Sequence, residues 1–108
     1  MDAVVQHVHQ EHEYLPLHPD WFNTTGCICG TTNCDWTAQR LTCLFTSYMP
    51  NIDWTSTAGT QQWEADAIWW LDTFDFDGFR MDAVKQVPDA AVINLTAAVR
   101  GEFEPRCV

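Results

Sequence analysis

Arg80 and Asp82 are the two side chains whose types and spacing best fit chemistry in this sequence. They stand two positions apart in segment 78–84, whose mostly apolar residues predict a buried strand. Side chains two apart on a strand share a face, and a neighbouring guanidinium favours the ionised form of a carboxylate. An ionised, positioned carboxylate suits a nucleophile in covalent catalysis. A structural ion pair that closes the end of the strand is an equally weighted alternative.

A second group of polar residues follows the first apolar segment of the chain. Residues 2–8 are short, apolar and β-branched, which predicts a buried strand. His7, His9, Glu11 and His12 lie at its end or just beyond it. Histidine and carboxylate side chains at short spacing can bind zinc. The segment contains no HExxH pattern on a helix, so a dedicated zinc site is the less favoured interpretation.

Four of the 5 cysteines lie close together, at Cys27, Cys29, Cys34 and Cys43. They predict either two disulfides or one zinc site with four thiolate ligands. Their spacing differs from that of a zinc ribbon, which favours disulfides in an oxidising compartment, with a reduced, metal-free cluster as the third interpretation. Cys107 stands apart and is either free or a link between two chains.

The elements that would position these residues follow from the apolar pattern. Residues 9–60 are rich in Asn, Thr, Gly, Pro and Cys and predict a long structured loop. Residues 61–104 predict helix, strand and helix, with the first helix over 61–75 and the second from Pro88. Strand, loop, helix, strand and helix make a βαβα unit with an insertion. This order predicts an α/β fold with parallel strands, in a single domain over 1–108.

The predicted helix over 61–75 carries an apolar stripe at helical spacing. Its members are Trp63, Ala67, Trp70, Leu71 and Phe74. The chain has 6 Trp, and for any one of them a core position is favoured over stacking on a sugar ring. The residues of the stripe form one apolar face of the predicted helix.

The charge of the chain limits its partners. The formal net charge is -10, with Lys+Arg 5 against Asp+Glu 15. This argues against nucleic acids and anionic membranes, whereas neutral sugars remain compatible. No apolar run approaches the roughly 20 residues that span a bilayer, and no signal peptide is predicted at the N-terminus. The location stays unknown, and an extracellular or periplasmic one is favoured if the disulfides form.

Three segments carry a resemblance to a known family. Segment 78–85 (GFRMDAVK) is similar to the fourth-strand motif of glycoside hydrolase family 13, the α-amylase family. Segment 2–7 (DAVVQH) resembles the third-strand motif of that family. Segment 49–53 (MPNID) resembles the motif that closes the domain inserted after the third strand. The three occur in the family's order and span nearly the whole chain.

The resemblance implies a fold and a set of roles. The fold would be part of a (β/α)8 barrel, its third and fourth units, with the irregular region as the inserted B domain. Asp82 would be the nucleophile, Arg80 would keep it ionised, His7 and Lys85 would contact the sugar, and Asp2 would support the site. The reaction would be retaining hydrolysis of α-glucosidic bonds in starch-like glucans, or transfer to another sugar, with no cofactor required.

Calcium is a possible ligand of such enzymes, between the barrel and the B domain. The resemblance maps three of its ligand positions onto Gln6, Asn51 and Gln86, where the family commonly has Asn, Asp and His. Gln6 is longer than Asn, and Asn51 lacks the charge that a hard cation prefers. We therefore expect a weak or lost calcium site.

The length of the chain is a second departure from the family. A complete barrel needs about 250 residues, and the family's general acid belongs to a fifth strand whose motif this sequence lacks. A substitute acid would come from Glu11, Glu13 or a second chain. The alternative functions are a carbohydrate-binding module that cleaves nothing and an inert barrel fragment. Open sheet edges predict completion by self-association into a homo-oligomer.

Overall fold

The computed structural model describes residues 2–103, so the interpretation of Cys107 concerns a residue outside this range. None of the helices between residues 2 and 103 is long and apolar enough to cross a membrane. The elements in chain order are β1 (Asp2–Val4), α1 (Tyr14–Leu17), a 3-10 turn (Pro19–Trp21), β2 (Phe22–Asn23), β3 (Asn51–Ile52), α2 (Thr57–Phe74), β4 (Arg80–Asp82), a second 3-10 turn (Val84–Gln86) and α3 (Asp89–Phe103).

β1 and β4 form a two-stranded parallel sheet, with the inserted region and α2 between them in the chain. Asp2 lies opposite Arg80, and Val4 lies opposite Asp82. α3 follows β4 and packs against α2. The mixed α/β character and the parallel pairing of the two predicted strands are confirmed.

β1 ends at Val4, whereas the sequence predicted a strand over 2–8. From Gln6 onwards the chain leaves β4 and runs antiparallel to residues 48–52. The backbone oxygen of Gln6 accepts from Ile52 N at 2.9 Å, and Val8 N donates to the oxygen of Pro50 at 3.1 Å. The first half of the apolar run thus pairs with β4, and its second half makes backbone hydrogen bonds with the inserted region.

α2 begins at Thr57, earlier than the predicted start at residue 61. Ser56 caps the helix: its hydroxyl oxygen accepts from Gly59 N at 3.2 Å. Gly59 also allows close packing, since a Cβ there would lie 3.0 Å from Cγ of Trp21. The run of small hydroxyl residues before the helix resembled a loop, and only the cap shows that it opens a helix.

The region predicted as an irregular loop has a core of its own. β2 and β3 pair in antiparallel fashion, with Phe22 opposite Ile52. Trp63 of α2 packs against this core from the helix side. The buried members of the core are Val8, Trp21, Phe22 and Ile52. The inserted region is therefore anchored to α2 by apolar contacts as well as to the end of β1.

The apolar stripe of α2 is only partly buried. Leu71 is buried and Trp63 contacts the inserted region. Trp70 and Phe74, however, are 40% and 52% exposed, and their rings stack at 5.1 Å between centroids. The core position favoured for a tryptophan therefore does not hold for Trp70. A sheet of two strands is too narrow to cover the full length of an 18-residue helix.

Candidate active site

Asp2, Arg80 and Asp82 lie together where β1 and β4 run side by side. Nη1 of Arg80 donates to Oδ2 of Asp2 at 3.2 Å, and Nη2 lies 3.7 Å from Oδ1 of Asp82. All three side chains are more than half exposed, so these ion pairs add little to stability and the carboxylates remain open to a ligand. The sequence placed Arg80 beside Asp82, and the shorter contact of Arg80 goes to Asp2.

The backbone turns sharply after Asp82. Oδ1 of Asp82 accepts from Ala83 N at 2.9 Å, and Ala83 has a φ of 54°, in the left-handed region that residues with a Cβ rarely adopt. The chain then enters the 3-10 turn Val84–Gln86. Unfavourable backbone geometry of this kind is concentrated at functional sites, and here it orients the Asp82 carboxylate at the strand end.

His7 lies near this end of the sheet and is partly buried. Its ring packs against Phe45, with 4.9 Å between the ring centroids. Burial lowers the pKa of His7, and the negative charge of Asp82 opposes this by raising it. His7 and Asp82 are thus close enough to interact electrostatically although they are far apart in the sequence.

Lys85 is held by the inserted region. Its Nζ donates to the hydroxyl of Thr37 at 2.9 Å, and its backbone oxygen accepts from Nη1 of Arg40 at 3.0 Å. The inserted region therefore reaches the turn after β4 and restrains a side chain that the sequence assigned to sugar contact.

The three positions mapped to a calcium site are buried amides: Gln6, Asn51 and Gln86. Nε2 of Gln6 donates to Oδ1 of Asn51 at 2.6 Å, and Nε2 of Gln86 donates to the backbone oxygen of Trp36 at 3.2 Å. Ca²⁺ takes about 6–8 oxygen ligands and favours carboxylates. These neutral groups, with the Asn51 oxygen already accepting a hydrogen bond, do not fit that ion.

The fold of the chain matches solved structures. The α-amylase of Geobacillus thermoleovorans, solved in complex with acarbose, gives a TM-score of 0.75 at 24% sequence identity, over 93% of this chain and 22% of that chain. An Anoxybacillus α-amylase, described as providing insights into a new glycosyl hydrolase subclass, gives a TM-score of 0.78 at 25% identity, over 95% of this chain and 22% of that one. The chain thus shares the fold of a segment of these α-amylases. No family model and no curated protein matches its sequence.

The match to α-amylases is a match to a segment. The chain spans 22% of the length of each of these two solved α-amylases. The similarity extends over more than nine-tenths of this chain.

The cysteine cluster of this α-amylase-like segment forms two disulfides, as the sequence favoured. Cys27 pairs with Cys34, and Cys29 pairs with Cys43. Cys34 and Cys43 are almost fully buried. The disulfides are compatible with an extracellular or periplasmic location.

Glu11 and Glu13, the candidates for a substitute acid, line a cavity that reaches Asp2 but not Asp82. Both line a cavity of about 640 Å³ between β1, α2 and α3, together with Asp2, Tyr14 and Trp63. Asp82 and Arg80 do not line this cavity. The structure does not bring the two glutamates and Asp82 to one cavity, so neither is assigned the acid role.

The histidines after β1 make local turns. Nδ1 of His9 accepts from Glu11 N, and Nδ1 of His12 accepts from Tyr14 N, both at 3.1 Å. Within residues 2–103, no group of three or more His, Cys, Asp or Glu side chains could hold a metal ion. The less favoured zinc interpretation has no support from these contacts.

The sequence did not indicate the hydrogen bond between Tyr14 and Asp66. The hydroxyl of Tyr14 donates to Oδ2 of Asp66 at 2.7 Å, and Nε2 of Gln62 donates to the other oxygen of the same carboxylate at 2.8 Å. Desolvation, followed by the hydrogen bond to Asp66, raises the pKa of Tyr14 to about 12. Nothing local in the sequence links the residues, because Tyr14 and Asp66 are 52 positions apart.

Proposed function

We propose that Asp82 is the nucleophile of an α-amylase-type retaining glycosidase acting on α-glucosidic bonds of starch-like glucans. The observation that carries this proposal is the placement of Asp82 at the end of β4, 3.7 Å from Arg80 and within the electrostatic reach of His7. Parallel-strand ends are where barrel enzymes collect their functional groups. The similarity to solved α-amylases supports the reaction class.

The reaction would proceed in two displacements. A carboxylate oxygen of Asp82 attacks the anomeric carbon and forms an ester with it, while the bond to the leaving sugar oxygen breaks and a general acid protonates that oxygen. Water, deprotonated by the same group, then breaks the ester and releases Asp82. Arg80, 3.7 Å from Asp82, would orient the carboxylate between the two steps.

The general acid must lie about 5–5.5 Å from the nucleophile in a retaining enzyme. Glu11 and Glu13 line a cavity that Asp82 does not line, so the proposal assigns the acid to neither. The proposal takes the acid from a second copy of the chain. His7 and Lys85 would contact the sugar on either side of the bond that breaks.

The test is the release of reducing sugar from soluble starch by the purified chain. Asp82→Asn is the informative variant, and Asp77→Asn, an exposed site with the same change of charge, is its matched control. We expect activity to fall by about 10²-fold or more in Asp82→Asn, the order that loss of a key catalytic group produces, and to persist in Asp77→Asn. Equal activity in both variants would rule out Asp82 as the nucleophile.

Calorimetry with acarbose separates binding from cleavage. Acarbose occupies the Geobacillus thermoleovorans α-amylase, so it is a suitable probe of the corresponding surface. Acarbose binding that weakens in Asp82→Ala, with no release of sugar from starch, would favour the carbohydrate-binding alternative. The absence of both binding and hydrolysis would favour the inert fragment.

A further inference from the structure

A continuous chain of hydrogen bonds runs from the disulfide-bonded Cys43 to the ring of His7. Nδ2 of Asn51 donates to the backbone oxygen of Cys43 at 2.9 Å. Nε2 of Gln6 donates to Oδ1 of Asn51 at 2.6 Å, and Nδ1 of His7 lies 2.8 Å from Oε1 of Gln6. We call these four residues the amide relay.

The backbone oxygen of Cys43 determines the direction of every hydrogen bond in the amide relay. A backbone carbonyl can only accept, so the Asn51 amide must turn its nitrogen toward Cys43 and its oxygen toward Gln6. Gln6 must then present its nitrogen to Asn51 and its oxygen to His7. The remaining partner, Nδ1 of His7, is left as the donor and must carry a proton.

Burial makes this direction hard to reverse. Gln6 and Asn51 are 3% and 4% exposed, so solvent cannot satisfy an amide that has been turned around. A flip of either amide would place two acceptors or two donors against each other, and a buried polar group without a partner is costly. Cys43 is itself fully buried and is joined by a disulfide to Cys29, which restrains the backbone oxygen at which the relay begins.

We propose that Gln6 and Asn51 are positioning residues that hold neutral His7 as the tautomer with its proton on Nδ1. Nε2 of His7 then carries a lone pair and accepts a hydrogen bond from a sugar hydroxyl, a step that rests on the proposed function. Phe45 packs against the ring and limits its rotation. The orientation of a histidine is commonly set in this way by the hydrogen bond that its other nitrogen makes.

The same geometry accounts for the amides at positions mapped to a calcium site. A carboxylate at position 51 could not donate to the oxygen of Cys43, whereas the Asn51 amide both donates and accepts. Gln6 is long enough to reach Asn51 with its nitrogen and His7 with its oxygen. The relay therefore takes the place of an ion as the polar link between the end of β1 and the inserted region.

Nuclear magnetic resonance of the uniformly ¹⁵N-labelled full chain tests the tautomer directly, through long-range couplings between ring protons and ring nitrogens. The chain has 4 His, and His7→Gln assigns the signals of His7. At a pH where His7 is neutral, we expect a protonated Nδ1 and an unprotonated Nε2. A wild-type His7 with its proton on Nε2 would overturn the proposal without any further variant.

Two substitutions test the role of the relay. Gln6→Met removes the acceptor, so His7 should change to mainly the tautomer protonated on Nε2; Asn51→Leu frees the Gln6 amide and should give a mixture. Gln86→Met is the matched control, a buried glutamine bonded to Trp36 and not to His7. An unchanged tautomer in a folded Gln6→Met chain, or an equal change in Gln86→Met, would contradict the positioning role.

Thermal unfolding with CaCl₂ and with EDTA tests the replacement of the ion. We expect the same unfolding midpoint in both conditions. A midpoint that rises with CaCl₂ in the wild type but not in Asn51→Leu would show that this site binds the ion. None of these measurements requires hydrolysis. A failed starch assay beside a His7 protonated on Nδ1 would therefore reject the proposed function and leave the relay standing.

Discussion

Arg80 faces Asp2 across the parallel register of β1 and β4, and its Nη1 donates to Oδ2 of Asp2 at 3.2 Å. The same guanidinium lies 3.7 Å from Asp82, so one cation serves two carboxylates. The contact ties the first strand to the last across 78 positions of sequence. In the proposed enzyme, Asp2 thereby positions the residue that supports the nucleophile.

Replacement of Arg80 should affect function more than stability. Arg80→Met removes exposed ion pairs, which contribute about 0–1 kcal/mol, so the free energy of unfolding in urea should change by no more than that. The rate of starch hydrolysis should fall by about 10²-fold or more, because electrostatic support of the reacting charge is lost. Arg100→Met, at an exposed position in the last turn of α3, is the control and should retain activity. A large loss of stability with normal activity per folded molecule would identify a purely structural ion pair.

Tyr14 should make stability depend on alkaline pH. The folded chain holds the phenolic proton more tightly than the unfolded chain, since the pKa is about 12 rather than the ordinary 10.0. This contribution is complete below pH 10 and is lost as the pH rises toward 12. Unfolding midpoints across this range should fall more steeply for the wild type than for Tyr14→Phe. Tyr48→Phe is the control, and an identical slope in Tyr14→Phe would show that Tyr14 does not couple to folding.

Removal of the hydrogen bond to Asp66 should have a cost at neutral pH as well. Tyr14→Phe loses one side-chain hydrogen bond, worth about 0.5–1.5 kcal/mol. Of the two side-chain contacts of Asp66 described above, the one with Gln62 is kept. Urea unfolding at pH 7 measures the change. A variant as stable as the wild type would mean that solvent replaces the hydroxyl without loss.

The two disulfides should differ in their contribution to stability. Cys29–Cys43 closes a loop with a separation of 14 and Cys27–Cys34 one with a separation of 7. Twice the loop length gives about 0.6 kcal/mol more stabilisation by chain entropy. Paired Cys→Ser variants in urea unfolding should each lose about 2–4 kcal/mol, with the larger loss for Cys29 and Cys43. The reverse order would show that packing around Cys34 outweighs loop entropy.

The exposed aromatic face of α2 should promote self-association. Trp69, Trp70 and Phe74 are 53%, 40% and 52% exposed, and the sheet beside them has two strands within residues 2–103. Contiguous apolar surface and unpaired strand edges both favour contact with another chain. Size-exclusion chromatography with light scattering should show oligomers that dissociate in the double variant Trp69→Ser, Phe74→Ser. A strictly monomeric wild type at all concentrations would contradict this prediction.

The local pattern of residues predicted the elements that carry the candidate nucleophile. Alternation along segment 78–84 placed Arg80 and Asp82 on one strand, and helical spacing after residue 61 located most of α2. Four closely spaced cysteines, in a pattern unlike that of a zinc ribbon, favoured disulfides. Each of these features depends on residues within a few positions of one another, so the spacing of residue types along the chain is enough to predict it.

Only the tertiary structure decided where the polar groups find their partners. The strand over 2–8 is divided at Val4 because residues 48–52 compete for its backbone, and no local pattern records that competition. The Gln6 amide meets Asn51 across 45 positions, and the stripe on α2 stays partly exposed because the sheet is narrow. Long-range hydrogen bonds and burial depend on how the elements assemble. The sequence by itself therefore determined the residues available for chemistry, and the fold determined which of them act together.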